Sequence, residues 1–341
     1  MMTVTRLGIA TLLLGLGGGA ASAQNQPTGF TVGNPLGLPI VPTPGQTFAP
    51  MSSNVKVYGA IFSAESCSYD PVRNLIVVPN RNVGQAVQDN NAWISFINHD
   101  GSVHTARWIG INRNELVLNE PLGSDIVGGV LYLADRDGGL GTIVVAGGSA
   151  GVQAGPNTPQ VSVVRKFNME TGRPMGEIRV ETATGFNDLE VADDGTIYAT
   201  VSGAQGHVYR ITAAGQASVF IPTGAPLNSP NGIAIDPAGN IVVANSGDAA
   251  ILTFDRSGRL IATEQAVQAG TDGLVIMPDG TKYASSVQNG GVSMIRPGQR
   301  AVLIAENIPN AASMCYDSGA NQLVIPLNAN NALAFVPLTG R

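Results

Sequence analysis

Glu65, Asn187, Asn231 and Asp272 share the second position of four segments that superpose without a gap: AESCSYDPVRNLIVV (64–78), FNDLEVADDGTIYAT (186–200), PNGIAIDPAGNIVVA (230–244) and TDGLVIMPDGTKYAS (271–285). Each continues with a small or acidic third residue, alternating apolar residues, a turn rich in Asp, Pro and Gly, and a second apolar run. Two carboxylates brought to one centre repel and raise each other's pKa unless a cation lies between them. Two asparagine oxygens would complete such a site without adding charge. An all-oxygen set, with no His or Cys, suits a hard ion. Ca2+, which takes six to eight oxygens, fits best; Mg2+ and Mn2+ are compatible and Zn2+ is less natural. Taken singly, Asn-Gly, Asn-Asp and Asp-Gly are ordinary turn dipeptides. The shared register makes them a candidate site.

The elements that would position these residues repeat. The second positions at Asn187, Asn231, Asp272 and Ala312 lie 44, 41 and 40 residues apart. PLGSDIVGGVLYLAD (121–135) joins the series with one deletion and places Leu122 there; AASMCYDSGANQLVI (311–325) joins with one insertion. Between them run short β-branched and aromatic stretches such as NLIVVPN, GTIYATV, NIVVAN and ALAFVP, bounded by Gly, Asp, Asn or Pro. That is strand patterning, and a sustained 3.6-residue period is nearly absent. The chain is read as all-β. Six units, each worth four short strands, describe a six-bladed β-propeller over 55–338. The blades are expected at about 55–113, 114–181, 182–224, 225–266, 267–304 and 305–338. Their innermost strands would line a channel ringed by Glu65, Leu122, Asn187, Asn231, Asp272 and Ala312. A Gly-rich excursion at 137–160 lengthens the second blade and is expected to form an extended hairpin or loop.

The termini and composition narrow the setting. Arg6, the apolar run Leu7 to Leu16 and the small residues Ala21-Ser22-Ala23 read as a secretory signal peptide over 1–23. The apolar run is too short for the ~20 residues of a membrane span. Export, to a periplasm or the exterior, is therefore expected. Residues 24–54 hold six prolines and almost no charge, and read as an arm or linker. Charged residues make up 12% of the chain and the net charge is −6, with no Lys/Arg run. Nucleic acid and anionic membranes are accordingly poor partners. The two cysteines, Cys67 and Cys315, fall in the first and last units but in frames that differ by one residue. Two buried free thiols are expected rather than a disulfide.

ES-x-x-YDP in the first unit, FNDL-x-V-x-x-DG-x-IY in the third, PNGIAI-x-P-x-G in the fourth and TDGL-x-x-x-PDG in the fifth resemble the senescence-marker-protein/gluconolactonase (regucalcin-like) family over about residues 55–338. The resemblance implies a six-bladed propeller with one divalent cation in its channel, held at Glu65, Asn187, Asn231 and Asp272. It further implies hydrolysis of lactones or related esters, with Asp272 as general base. Cys67-Ser68 depart from the family's usual first-blade residues, and the motifs show no arginine that would bind a sugar acid. The substrate is therefore not carried over. Oligomeric state and metal preference stay open.

Other signals rank lower. Gly147-Gly148-Ser149-Ala150-Gly151 matches a nucleophile elbow, but VQAGPNTPQ after it cannot be the required helix. His99, His104 and His207 fall outside the ring and read as solvated turn residues. Asp135 to Gly139 reads as a plain turn, since the later Glu of a calcium loop is missing. Asp188 either orients Asn187 or makes a strand-start hydrogen bond. Two other function classes stay open: a non-catalytic binding propeller with a structural cation, and a strictosidine-synthase-like enzyme.

Overall fold

The computed structural model describes residues 52, 54–58, 61–81, 90, 92–110, 116–139, 142–145, 149–153 and 158–338. The signal-peptide segment and all of the arm except Ser52 and Asn54 lie outside the described residues. The chain enters with β1 (Lys56–Tyr58) and then builds antiparallel sheets in sequence order. The first holds β2 (Ser68–Asp70), β3 (Leu75–Asn80), β4 (Trp93–Ile97) and β5 (Val103–Gly110). The second begins with β6 (Ser124–Val127) and β7 (Val130–Gly139), then detours through a hairpin of β8 (Thr142–Val145) and β9 (Ser149–Gln153). It resumes with β10 (Thr158–Asn168) and β11 (Pro174–Val180). The third holds β12 (Leu189–Val191), β13 (Ile197–Val201), β14 (His207–Ile211) and β15 (Ala217–Ile221). The fourth holds β16 (Pro230–Ile235), β17 (Ile241–Asn245), β18 (Ala250–Phe254) and β19 (Leu260–Gln265). The fifth holds β20 (Thr271–Ile276), β21 (Lys282–Ser286), β22 (Val292–Ile295) and β23 (Val302–Ala305). The sixth takes β24 (Cys315–Asp317), β25 (Gln322–Leu327) and β26 (Ala332–Pro337) from the end of the chain and β1 from its start. No α-helix occurs among the described residues. This is the six-bladed propeller that the repeats predict.

Two expectations change here. The segment VKVY, assigned from its position to the first blade, is the outer strand of the sixth, with Lys56 opposite Phe335 and Tyr58 opposite Leu333. The expected turn at Asp135 to Gly139 is strand, inside β7. The 137–160 excursion is a hairpin, as expected.

Burial explains the patterning. The second strands β13, β17 and β25 are buried at every residue, because neighbouring blades cover both of their faces. They therefore read as continuous apolar runs rather than alternating ones. The outermost strands β11 and β19 are mostly exposed and carry charge. Six apolar clusters fill the six blade interfaces, from Val77, Phe96, Leu131 and Phe167 between the first two blades to Ile76, Ile97, Val324 and Phe335 between the first and last. Burial of apolar area on this scale is the main source of stability.

The ring closes covalently as well. Cys67 and Cys315, expected as free thiols, form a disulfide with a Cα separation of 5.5 Å. The frame argument fails because inner strands of neighbouring blades are staggered. Gly273, for instance, faces the Ser313–Met314 peptide rather than a single residue.

Candidate metal centre

Each ring residue stands at or just before the start of an innermost strand, and for four of the six the preceding blade holds the carbonyl. Ser66 Oγ donates to Leu122 O, Gly123 N to Asn187 O at 2.8 Å, Thr200 Oγ1 to Asn231 O at 2.6 Å and Ser285 Oγ to Ala312 O at 2.8 Å. The small residue after the ring position has a steric cause. A Cβ on Gly232 would run into the Asp272 carbonyl, and one on Gly273 into the backbone of Ser313 and Met314. At these two positions the blades approach so closely that only glycine fits, whereas Ser66, Asp188 and Ser313 stand at the same register of other blades.

Glu65, Asn231 and Asp272 are buried and Asn187 is half-buried. Each presents one buried oxygen with no hydrogen-bond partner: Glu65 Oε2, Asn187 Oδ1, Asn231 Oδ1 and Asp272 Oδ1. A buried acceptor left unpaired costs about 1–3 kcal/mol, and more when charged. Four such oxygens at one register of one ring fit a cation. The ring's other two members, Leu122 and Ala312, are apolar and buried. Among the described residues no group of three or more His, Cys, Asp or Glu could hold a metal ion, so a cation at this ring would need the two amide oxygens as well.

The electrostatics agree. Burial pushes Glu65 up to about 7, against the opposing pull of Arg81 and then Arg136, with Glu120 raising it again. Burial, then Glu65 and Asp188, hold Asp272 well above the usual carboxylate range; the Asn231 side-chain hydrogen bond and Arg81 oppose this. Asp188 is pushed up to about 8, by burial first and Glu65 second.

Asp188 does not orient Asn187. Its Oδ1 accepts from Leu189 N at 2.9 Å, while Oδ2 accepts from Ile233 N at 3.3 Å and Ser313 Oγ at 3.4 Å. It thus braces the third, fourth and sixth blades across the axis. Beyond it the channel opens at its other end into a cavity of about 410 Å3 that includes Asp125, Glu190 and the disulfide. Asp125 accepts from Val191 N at 2.9 Å, and Glu190 from the Ile235 backbone N–H. These carboxylates satisfy inner-strand N–H groups that have no partner strand on the channel side.

Sequence reasoning missed a second group beside the ring. Arg81 and Arg136 stand just past or within the ends of β3 and β7, and both face Glu120, at 3.7 and 3.5 Å. Arg81 is buried, and its guanidinium donates to Ser63 O at 2.9 Å, Ser63 Oγ at 3.2 Å and Asn328 Oδ1. Asp135 fixes the turn that carries Glu120 by accepting from Asn119 N at 3.1 Å and Glu120 N at 2.5 Å, while Arg165 balances its charge. Aligning the ends of the second strands, rather than the starts of the first, would have brought Arg81 and Arg136 into view.

The remaining candidates stay outside the ring. His104 is exposed on β5 and His207 begins β14. His99 lies in the expected turn but is half-buried rather than solvated, with Nδ1 2.8 Å from Asp317 of the sixth blade. Ser149 lies in β9, and strand β10 follows where an elbow needs a helix.

Comparison with known proteins supports the family and the fold. The family described as "SMP-30/Gluconolactonase/LRE-like region" matches residues 124–325, more than half of the chain. The chain belongs to this family. The matched segment contains Asn187, Asn231 and Asp272 but begins after Glu65 and Leu122. The placement of Glu65 therefore rests on the fold. No curated protein matches the chain. Among solved structures, a protein assigned as a gluconolactonase is 16% identical with a TM-score of 0.57, over 84% of this chain and 93% of that one. A gluconolactonase from Xanthomonas campestris is 18% identical with a TM-score of 0.50, over 83% and 89%. A catalytically inactive virginiamycin B lyase from Staphylococcus aureus, solved with quinupristin, is 11% identical with a TM-score of 0.56, over 83% and 99%. At these identities the likeness is one of fold.

Proposed function

We propose that this chain is a metal-dependent hydrolase of lactones or related esters, with Glu65, Asn187, Asn231 and Asp272 holding a divalent cation and Asp272 serving as base or nucleophile. The observation that carries the reading is the set of four buried, unpartnered oxygens at one register of the ring. Ca2+ suits their number and type best. A bound cation would polarise the ester carbonyl and stabilise the oxyanion that forms on it.

The chain's own groups supply the proton chemistry. The Asp272 carboxylate would take a proton from an attacking water and return it to the alkoxide as the ring opens. Alternatively it attacks the carbonyl itself, the ring C–O bond breaks to release the alkoxide, and water then hydrolyses the resulting mixed anhydride. The positive charge of Arg81 favours the ionised form that either role requires. The asparagines bring oxygen without charge, which leaves the cation a stronger Lewis acid than four carboxylates would.

The disulfide supports an oxidising compartment, and so export to a periplasm or the exterior. The test is a set of initial rates on aliphatic, aromatic and sugar lactones with residues 24–341. Rates are compared with added Ca2+, after chelation, and for Asp272→Asn. Turnover that disappears with chelator and in the variant supports the reading. A folded, cation-binding protein that turns over no lactone or ester would instead be a binding propeller.

A further inference from the structure

We propose that Arg136 reads a carboxylate on the substrate, so that this site takes lactones or esters bearing a negatively charged substituent. The inference rests on the hydrolase reading and names its substrate class.

Position comes first. The Arg136 guanidinium lies against Gly185, where an added Cβ would sit 3.0 Å from Nε and 3.1 Å from Cζ. Gly185 precedes the candidate ligand Asn187 by two residues. The side chain therefore packs beside the ring from the second blade, and its charge acts on Glu65.

Its hydrogen bonding is incomplete. Arg136 Nε is buried and has no partner. Its nearest acid, Glu120, is 3.5 Å from Nη1 and is shared with Arg81. That distance exceeds the 2.7–3.2 Å of a good N–H···O bond. Arg81, by contrast, is tied down by Ser63 and Asn328. One arginine is fixed and the other keeps donors to offer.

Charge points the same way. Glu65 and Asp272 are balanced once a divalent cation is bound, and Glu120 balances one of the two arginines. The remaining acid, Asp188, is engaged by Leu189 N, Ile233 N and Ser313 Oγ, and among the described residues it makes no ion pair with Arg136. A planar guanidinium with an unpaired Nε matches a carboxylate, which can accept two parallel N–H bonds. A neutral substrate would leave that donor unsatisfied.

The test uses two lactones of the same ring size, one carrying a carboxylate and the other its methyl ester, with the cation-loaded protein. Arg136→Gln is expected to lower kcat/KM for the carboxylated lactone ~30-fold, mainly through KM, the size of one lost charge-assisted hydrogen bond. The methyl ester should change less than about three-fold, and Arg136→Lys should recover part of the loss. Equal losses on both lactones, or none on either, overturn the inference. Calorimetric binding of the carboxylated lactam analogue gives a readout independent of turnover. If no lactone is hydrolysed, the hydrolase reading fails while this arm still decides the arginine's role. Binding that weakens in Arg136→Gln upholds carboxylate recognition, and binding unchanged in that variant overturns it.

Discussion

At the scale of the residue, the candidate site consists of four buried oxygens without partners, which one cation would satisfy together. Two consequences follow for measurement. Substituting Asp272→Asn keeps an oxygen at the ring but removes the base. Cation affinity measured by calorimetry should fall by no more than about ten-fold, whereas hydrolysis should fall ~10²–10⁴-fold, the usual worth of a positioned base. Equal losses in both would assign Asp272 to ligation alone. The pH response of the cation-free protein is the second. Burial holds Glu65 near 7 and Asp188 near 8, above their ordinary values of 4.5 and 3.8. The folded chain therefore keeps protons that the unfolded chain releases, and stability must fall as pH rises through this range. Thermal melts without metal should show a lower Tm at pH 8 than at pH 5. Ca2+ should raise Tm far more at pH 8, because it favours the ionised carboxylates. A Tm that rises with pH in the absence of metal would contradict the assignment. The four ring residues were legible in the sequence because a repeat fixed their register. Arg81, Glu120 and Arg136 were not, since Glu120 lies in a turn and the two arginines share a register only at the ends of the second strands, which superposing the first strands does not compare.

At the scale of the element, the inner strands carry the geometry and the second strands carry the burial. The strands themselves were legible from β-branched runs bounded by turn residues. What the pattern could not show was which sheet the first strand joins, because one short strand pairs equally well with either end of a closing ring. The packing at the axis was half legible. Glycine or another small residue recurs after the ring position, but the reason is the backbone of the next blade, which no local pattern contains. Gly232→Ala tests this. Its Cβ would press on the Asp272 carbonyl, so the variant should lose about 1–3 kcal/mol in urea unfolding, as overpacked sites do. It should also bind cation more weakly, because the strand that bears Asp272 must move. A variant as stable as the parent would show that the blades can separate at the axis without cost.

At the scale of the whole molecule, closure is the feature that the six similar units leave open. Two devices provide it: β1 in the sixth sheet, and the Cys67–Cys315 bond between the first and last inner strands. The cysteine frames pointed the other way, because superposing repeats ignores the stagger between neighbouring strands. The disulfide encloses 248 residues of separation and should contribute on the order of 2–5 kcal/mol. Cys67→Ser with Cys315→Ser should therefore lower Tm by several degrees, and a reductant should lower Tm only in the parent protein. Glu65 lies two residues from Cys67, so the same variant should hold the cation less tightly. The central claim, a single cation site shared by four blades, has a direct measurement. Chelator-stripped protein is titrated calorimetrically with Ca2+, Mg2+, Mn2+ and Zn2+, alongside Glu65→Gln combined with Asp272→Asn. The account predicts one site per chain, occupied most tightly by Ca2+ and lost in the double variant. A folded protein that takes up none of the four ions, or a double variant that binds as tightly as the parent, would contradict it.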